Sequence, residues 1–227
     1  MAQAPTPFQR VAHRGSPRER VENTLPGFLL ALDHGADAIE LDVHCTADGV
    51  AVVHHDDEVH GHLLAKVDWP DVARFDVGGG ASIPRLDDVL DAIGGRAEVY
   101  IELKGVDIEE RVIAVVRAHG HRYAMHSFDH SAIAHVAALA PDIPRGVLLD
   151  RDIPHPLEQL RDAVAMTGAR DVWPHWTLVD PALVQAAHDL NARVITWTVN
   201  APDIARRSRD AGVDGLCTDD VRLLENL

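Results

Sequence analysis

The sequence predicts a single α/β domain folded as a closed (β/α)₈, or TIM, barrel. Short β-rich segments alternate with amphipathic helical segments almost to the C-terminus. Eight such β-rich segments occur in 227 residues, a length that suits one compact barrel. No long linker, low-complexity tract or block of like charge divides the chain. We therefore expect residues 1–227 to form one domain. From the pattern alone, an open doubly wound sheet is the alternative.

The predicted strands are the β-rich segments. They cover residues 10–12, 38–43, 99–103, 123–126, 145–149, 172–174, 194–197 and 215–218. After the second strand, residues 51–55 (AVVHH) resemble an extra strand and lead into a glycine-rich, acidic stretch. We interpret residues 56–85, approximately, as a short insertion over one mouth of the barrel.

The predicted helices rest on caps and on a period of 3.6 residues. Leu86, Val89, Leu90 and Ile93 lie at positions i, i+3, i+4 and i+7, and Gly94 follows as a stop. The other helices run from Thr24 and Pro26 to Gly35, over 107–118, 133–140 and 156–167, and over 181–190 behind the capping Asp180.

Charge and hydropathy exclude several classes of partner. The net charge of −15 opposes binding to nucleic acid and to anionic membranes. Neither a signal peptide nor a membrane-spanning segment is recognisable, so no membrane insertion and a cytoplasmic location are expected. Cys45 and Cys217 are too few to indicate a disulfide framework.

Acidic side chains occupy the inward face of two predicted strands. Because strand residues alternate between faces, Glu40 and Asp42 share one face, and Glu102 and Lys104 share the corresponding face of the next strand. Three buried carboxylates need compensating charge. Ordinary salt bridges to Arg14 or Lys104 are the structural alternative, but the oxygen ligands together predict one divalent cation, Mg²⁺ or Ca²⁺, with Mn²⁺ as a further candidate.

Histidines near the same strand ends indicate proton transfer beside a bound anion. His13 and Arg14 follow the first strand, and barrel active sites lie at carboxyl-terminal strand ends. Imidazoles with pKa values near neutrality suit hydrolysis, and phosphate is the natural anion. Of the adjacent His54 and His55, at most one is expected to face the site, and alternation does not choose between them.

Residues 13–59, HRGSPRERVENTLPGFLLALDHGADAIELDVHCTADGVAVVHHDDEV, strongly resemble the glycerophosphodiester phosphodiesterase family. The hallmark of that family is HRG, then ENT, then GAD-x-x-E-x-D, then DG-x-x-V-V-x-HD. The resemblance continues through IPRLDDVL, IELK, SFD, WTVN, GVDG and TD, and so covers essentially the whole chain. It implies the barrel fold and hydrolysis of a glycerophosphodiester to sn-glycerol 3-phosphate and an alcohol.

The resemblance also implies roles for single residues. His13 and His55 match the catalytic acid and base, and Glu40, Asp42 and Glu102 match the metal ligands. The expected phosphate contacts are Arg14 and Lys104, the expected pocket wall is Trp197, and the expected supporting residues are Glu22 and Asn23. Arg85 replaces a usual threonine, and TDDV lacks a usual proline; both lie outside the catalytic set. The alcohol stays open among choline, ethanolamine and inositol.

Three other functions fit the sequence less well. A lipid-directed relative, such as a lysophospholipase D or a sphingomyelinase D-like protein, should have an apolar rim or a basic amphipathic helix, and aromatic residues form only 4% of the chain. A Schiff-base aldolase using Lys104 is disfavoured because nearby carboxylates stabilise the charged lysine. A phosphate-ester binding protein without activity would not need both histidines and all three acids.

Overall fold

The computed structural model describes residues 7–224. The strands, in chain order, are β1 (Gln9–His13), β2 (Ala38–Cys45), β3 (Ala51–Val53), β4 (Glu58–Val59), β5 (His62–Leu63), β6 (Glu98–Leu103), β7 (Tyr123–Ser127), β8 (Arg145–Leu149), β9 (Asp171–Pro174), β10 (Arg193–Thr196) and β11 (Gly215–Thr218). The α-helices are α1 (Leu25–Asp33), α2 (Trp69–Val72), α3 (Leu86–Ile93), α4 (Glu109–His119), α5 (His130–Leu139), α6 (Pro156–Thr167), α7 (Pro181–Asp189) and α8 (Pro202–Asp210).

Eight parallel strands close into a barrel. The order around the sheet is β1, β11, β10, β9, β8, β7, β6 and β2, and β1 also pairs with β2, which leaves no free edge between them. Each of these strands overlaps one of the predicted strands. The prediction of a (β/α)₈ barrel is confirmed, and the open sheet is excluded because the first and last strands pair directly.

The two faces of the barrel strands bury different residues. Ile39, Leu41 and Val43 belong to the large apolar cluster that includes residues of the surrounding helices. A smaller cluster, which includes Tyr100 and Trp173, fills the inside of the barrel. Glu40 and Asp42 occupy the inward positions of β2 on the carboxyl-terminal side of this cluster, as alternation predicts.

The segment after β2 adds structure outside the closed barrel. β3 pairs antiparallel with the end of β2, and β4 and β5 form a separate hairpin. An apolar cluster of its own supports this segment and contains Val52, Val59, Leu64, Val72 and Ile83. The strand predicted over AVVHH ends at Val53, so both histidines of that motif lie beyond it.

Local signals predicted six of the eight α-helices within residues 7–224 and missed α2 and α8. Asp180 caps α7 by accepting a hydrogen bond from the backbone N–H of Leu183 at 2.8 Å. Thr24 occupies the N-cap position of α1, but its hydroxyl donates to the carbonyl of Val21 instead. α8 was not singled out in the sequence because little of it is apolar, and its buried residues are Ala205 and Ser208.

A closed network of ion pairs lies at the amino-terminal end of the barrel. Asp171 accepts hydrogen bonds from Arg170 at 2.6 Å and from Arg193 at 2.7 Å. Arg170 also donates to Glu98 at 2.8 Å, and Arg193 donates to the hydroxyl of Tyr100 at 2.8 Å. Both carboxylates are thereby paired with guanidinium groups, which is the condition for burying them without a large cost.

Two further expectations concern membranes and thiols. Within residues 7–224, no helix combines the length and the apolar character needed to cross a bilayer. Cys45 and Cys217 are both free and buried. Burial raises the pKa of the Cys45 thiol to about 11, so this cysteine behaves as a small apolar side chain.

Candidate active site

Three carboxylates meet at the carboxyl-terminal end of the barrel. Glu40 and Asp42 lie on β2, and the strand register places Asp42 beside Glu102 of β6. One oxygen from each carboxylate lies within 4.8 Å of the others, and all three residues are buried. This is the acidic group that alternation along the two strands predicts.

The charges around these carboxylates are unevenly distributed. Burial alone would raise the pKa of Glu40, but the neighbouring His126, His13 and Arg14 outweigh it and lower the pKa to about 2. Burial, reinforced by the charge of Asp42, raises the pKa of Glu102 to about 7. The site therefore holds more negative charge than its own cations compensate.

The nearest cationic side chains do not pair with every oxygen of this cluster. Lys104 Nζ lies 3.4 Å from Glu102 and 3.7 Å from Asp42, and Arg14 Nε lies 3.1 Å from Asp42. Asp42 Oδ1 is nevertheless buried without a hydrogen bond. Asp42 Oδ1 thus lies unpaired beside Glu102, whose pKa is raised, and all donors in the cluster are oxygens. These features fit a site for a divalent cation.

A tight turn after β1 positions the neighbouring motif residues. Arg14 adopts a positive φ of 52° and Gly15 one of 89°. A Cβ atom on Gly15 would lie 2.8 Å from the carbonyl carbon of Gly27 in α1, so the turn requires glycine. Arg14 donates to Glu22 at 3.0 Å, and Asn23 donates to Asp42 at 2.8 Å. Glu22 and Asn23 thus orient other site residues.

His13 is held by a carboxylate from the opposite end of the chain. Its Nδ1–H donates to Asp219 Oδ1 at 2.7 Å, and the side chain of Asn200 donates to the other oxygen of Asp219 at 2.6 Å. Burial alone would lower the pKa of His13, but the bond to Asp219 and the charge of Glu40 raise it above its usual value. Nε2 of His13 is left for proton transfer.

His55, and not His54, lines the pocket. Nδ1 of His55 donates to Asp56 at 2.7 Å, and its backbone carbonyl lies 3.2 Å from Nε2 of the buried His44. His54 is absent from the pocket wall. Each of the two expected catalytic histidines therefore has a carboxylate on Nδ1, the arrangement that fixes an imidazole ring and its tautomer.

Trp197 forms part of an aromatic wall. Its Nε1–H donates to the carbonyl of Trp173 at 2.8 Å. Edge-to-face contacts join it to Phe128 at 5.4 Å and to His175 at 5.2 Å between ring centroids. Phe128, Trp173 and Trp197 of this wall line the pocket.

The pocket gathers most of the predicted site residues. It has a volume of about 170 Å³ and is lined by His13, Arg14, Glu40, His55, Glu102, Lys104, His126, Phe128, Leu148, Trp173, Trp197 and Cys217. Three predicted site residues, Asp42, Glu22 and Asn23, do not line this pocket. Asp42 belongs to the carboxylate cluster, Glu22 contacts Arg14, and Asn23 contacts Asp42.

Five residues that contact or line the site were not assigned a role from the sequence: Asp56, Asp219, Asn200, His126 and Phe128. Asp219 directly follows β11, and the rule of strand ends could have identified it. His126 is paired with Glu102 across the β6–β7 register, and its Nε2 lies 3.7 Å from Glu40. Neither of its ring nitrogens has a hydrogen-bond partner. Strand alternation in YAMHS could have placed this histidine inside the barrel.

Comparison with known proteins connects this geometry to one family. Residues 13–223 match the model of the glycerophosphoryl diester phosphodiesterase family. A glycerophosphodiester phosphodiesterase of Caldanaerobacter subterraneus is 32% identical over 237 residues, which cover 96% of each chain.

Two solved structures share the fold over nearly the whole chain. A glycerophosphodiester phosphodiesterase from Agrobacterium tumefaciens has a TM-score of 0.84 and 29% identity, covering 96% of this chain and 98% of that one. A phosphodiesterase from Oleispira antarctica, in complex with the product sn-glycerol-3-phosphate, has a TM-score of 0.84 and 25% identity, covering 95% of this chain and 94% of that one.

Proposed function

This chain belongs to the glycerophosphoryl diester phosphodiesterase family and hydrolyses glycerophosphodiesters to sn-glycerol 3-phosphate and an alcohol, and we propose that the pocket at the carboxyl-terminal barrel end carries out this reaction. One observation carries the proposal. Two histidines, each bonded through Nδ1 to a carboxylate, line the same small pocket as the buried acidic cluster.

Glu40, Asp42 and Glu102 would hold one divalent cation. Their oxygen-only donor set favours Mg²⁺ or Ca²⁺, with Mn²⁺ also suited to it. When bound, the cation supplies positive charge beside the phosphate and lowers the pKa of a hydroxyl group in contact with it. Arg14 and Lys104 add fixed positive charge where negative charge grows on the phosphate oxygens.

The two histidines divide the proton transfers. One imidazole takes, at Nε2, the proton of the attacking group, and the other donates a proton to the oxygen of the departing alcohol. The attacking group is either water, which gives sn-glycerol 3-phosphate directly, or the neighbouring glycerol hydroxyl, in which case water then opens the resulting cyclic phosphate. The raised pKa of His13 favours the donating role for this residue. Asp219 and Asp56 keep both rings oriented during these transfers. Trp197 and Phe128 limit access of bulk water to the pocket.

The test measures release of sn-glycerol 3-phosphate from glycerophosphocholine after EDTA treatment and separate addition of Mg²⁺, Ca²⁺ or Mn²⁺. We expect activity to return with a cation and to be lost in Glu40→Ala. His13→Ala and His55→Ala should each lose roughly 10²- to 10⁴-fold in kcat, the usual contribution of one general acid or base.

His54→Ala is the matched control because it removes the adjacent imidazole, which does not line the pocket. Its kcat should stay near that of the wild type. Full activity in His13→Ala or Glu40→Ala would refute the assignment. A strong preference for lysophosphatidylcholine over glycerophosphocholine would favour a lipid-directed phosphodiesterase instead.

A further inference from the structure

A second pocket opens directly beside the active site. We call it the side pocket and define it by Val106, Asp107, Glu109, Phe128, Asp129 and His135. Its volume is about 500 Å³, and it shares Glu102, Lys104 and Phe128 with the pocket that contains the histidines. A substrate whose phosphate contacts Lys104 can therefore extend into the side pocket.

The side pocket is acidic. Asp107, Glu109 and Asp129 contribute three carboxylates, and the half-exposed imidazole of His135 is the facing basic group beyond the shared Lys104. Asp129 already accepts hydrogen bonds from the backbone N–H groups of Ser131 and Ala132 at the start of α5. The other two carboxylates have no such role.

Glu109 is the buried member of this group. Its side chain is 7% exposed, and no hydrogen bond to its carboxylate occurs within residues 7–224. The nearest cationic atom, Nδ1 of His135, lies 3.8 Å away, beyond hydrogen-bond distance. The N-terminus of α4 and the long ion pair with His135 offset part of its charge, but within residues 7–224 no hydrogen bond reaches its carboxylate.

The rim of the side pocket is apolar and aromatic. Val106 is 87% exposed and Phe128 is 42% exposed, although both are large apolar residues. Phe128 also packs against Trp197, which fixes its ring beside the opening. An aromatic face together with carboxylates is the environment that binds organic ammonium groups.

We propose that the side pocket receives the alcohol part of the diester and selects alcohols that carry a positive charge, such as choline or ethanolamine. The proposal rests on the proposed function, because Lys104 must hold the phosphate at the junction of the two pockets. In these amino alcohols the nitrogen is two carbon atoms from the ester oxygen, close enough to enter the neighbouring pocket. A neutral polyol would leave Glu109 with only its long ion pair to His135, and an anionic alcohol would be repelled.

The experiment compares kcat/KM for glycerophosphocholine with that for glycerophosphoglycerol, whose alcohol is neutral. The wild type should prefer the cationic substrate. Glu109→Gln should lose roughly 10-fold or more on glycerophosphocholine, as expected when a buried charge partner is removed, and should change little on glycerophosphoglycerol. Glu110→Gln is the matched control, since Glu110 lies next in α4, is exposed and does not line the side pocket.

Asp107→Asn is a second variant that does not depend on core packing. Asp107 is exposed and has a φ of 55°, which asparagine tolerates. It should reduce the preference for the cationic substrate by a smaller factor. Equal losses on both substrates, or no preference in the wild type, would overturn the proposal. Absence of turnover of either substrate by cation-loaded wild type would instead contradict the proposed function.

Discussion

At the amino-terminal end of the barrel two buried carboxylates face two arginines, whereas at the carboxyl-terminal end three buried carboxylates share two more distant cations, Arg14 and Lys104. In the first group, Arg170 and Arg193 donate to Asp171, and Arg170 also donates to Glu98. These hydrogen bonds are 2.6 to 2.8 Å long. This first group therefore has as many guanidinium groups as carboxylates, and each carboxylate is hydrogen-bonded to at least one of them.

The carboxylates of the second group are incompletely paired. Lys104 approaches Glu102 and Asp42 only to 3.4 and 3.7 Å, and Asp42 Oδ1 has no hydrogen bond. The imidazole of His126 is likewise buried without one. One barrel thus pairs its buried charges fully at its amino-terminal end and incompletely at the end where we propose that a cation binds.

The largest expected difference between the two ends follows from Asp171→Asn. This change leaves two partly buried arginines without the fully buried carboxylate that they share, and it should lower the free energy of unfolding by about 3–5 kcal/mol. The melting temperature should fall by roughly 10 °C or more. Calorimetry measures this change, and kcat of the remaining folded protein should be unaltered. An unchanged melting temperature would show that the amino-terminal network does not stabilise the barrel.

Cation binding should stabilise the opposite end, and it should do so more at pH 8 than at pH 5.5. At 100 times the dissociation constant a ligand adds about 2.7 kcal/mol to the free energy of unfolding. Glu102, with a pKa of about 7, is protonated at the lower pH and must then release its proton to bind. Thermal unfolding with Mg²⁺, Ca²⁺ or Mn²⁺ at both pH values measures the effect. Equal shifts at both pH values would exclude Glu102 from the binding reaction.

Glu102→Gln should have an effect opposite in sign to that of Asp171→Asn. The pKa of Glu102 is raised from 4.5 to about 7, so the folded cation-free protein binds the extra proton. Its stability therefore falls as pH rises through that interval, and at pH 8 the charged carboxyl is a net cost.

Glutamine removes this charge, and we expect roughly 2 kcal/mol of added stability at pH 8 in EDTA, together with loss of cation-induced stabilisation. Denaturant unfolding measures both quantities. A less stable Glu102→Gln protein in EDTA would mean that Lys104 already compensates this carboxylate.

The smallest effect should come from Asp219→Asn. Asp219 raises the pKa of His13, so His13 stays protonated to higher pH in the wild type. The substitution should lower that pKa, move the alkaline limb of the activity profile to lower pH, and reduce kcat about 10-fold, or about 1.4 kcal/mol. The adjacent Asp220→Asn is the control because Asp220 pairs with Arg222. Identical profiles for the two variants would remove Asp219 from catalysis.

Strand alternation was sufficient to predict the barrel interior and its carboxylates. Glu40, Asp42 and Glu102 follow from a two-residue period that regular strands obey. The same rule could not choose between His54 and His55, because β3 ends at Val53 and the pair lies in irregular backbone. Only the family motif distinguished them.

Contacts distant in sequence explain the remaining omissions. The partner of His13 is Asp219, which no local pattern connects to it. The side pocket likewise depends on how the loop before α4 and the start of α5 approach each other. α8 was not predicted for a different reason, because few of its residues are apolar.

The bond between His13 and Asp219 spans 206 positions of the chain. β11 is also the last barrel strand to leave a ribosome, and it pairs with β1, the first. A nascent chain that stops short of β11 would carry the three carboxylates and both histidines of the pocket, yet His13 would have no carboxylate on Nδ1 and the barrel would remain open beside it. We therefore expect activity to appear only when the last strand has closed the barrel.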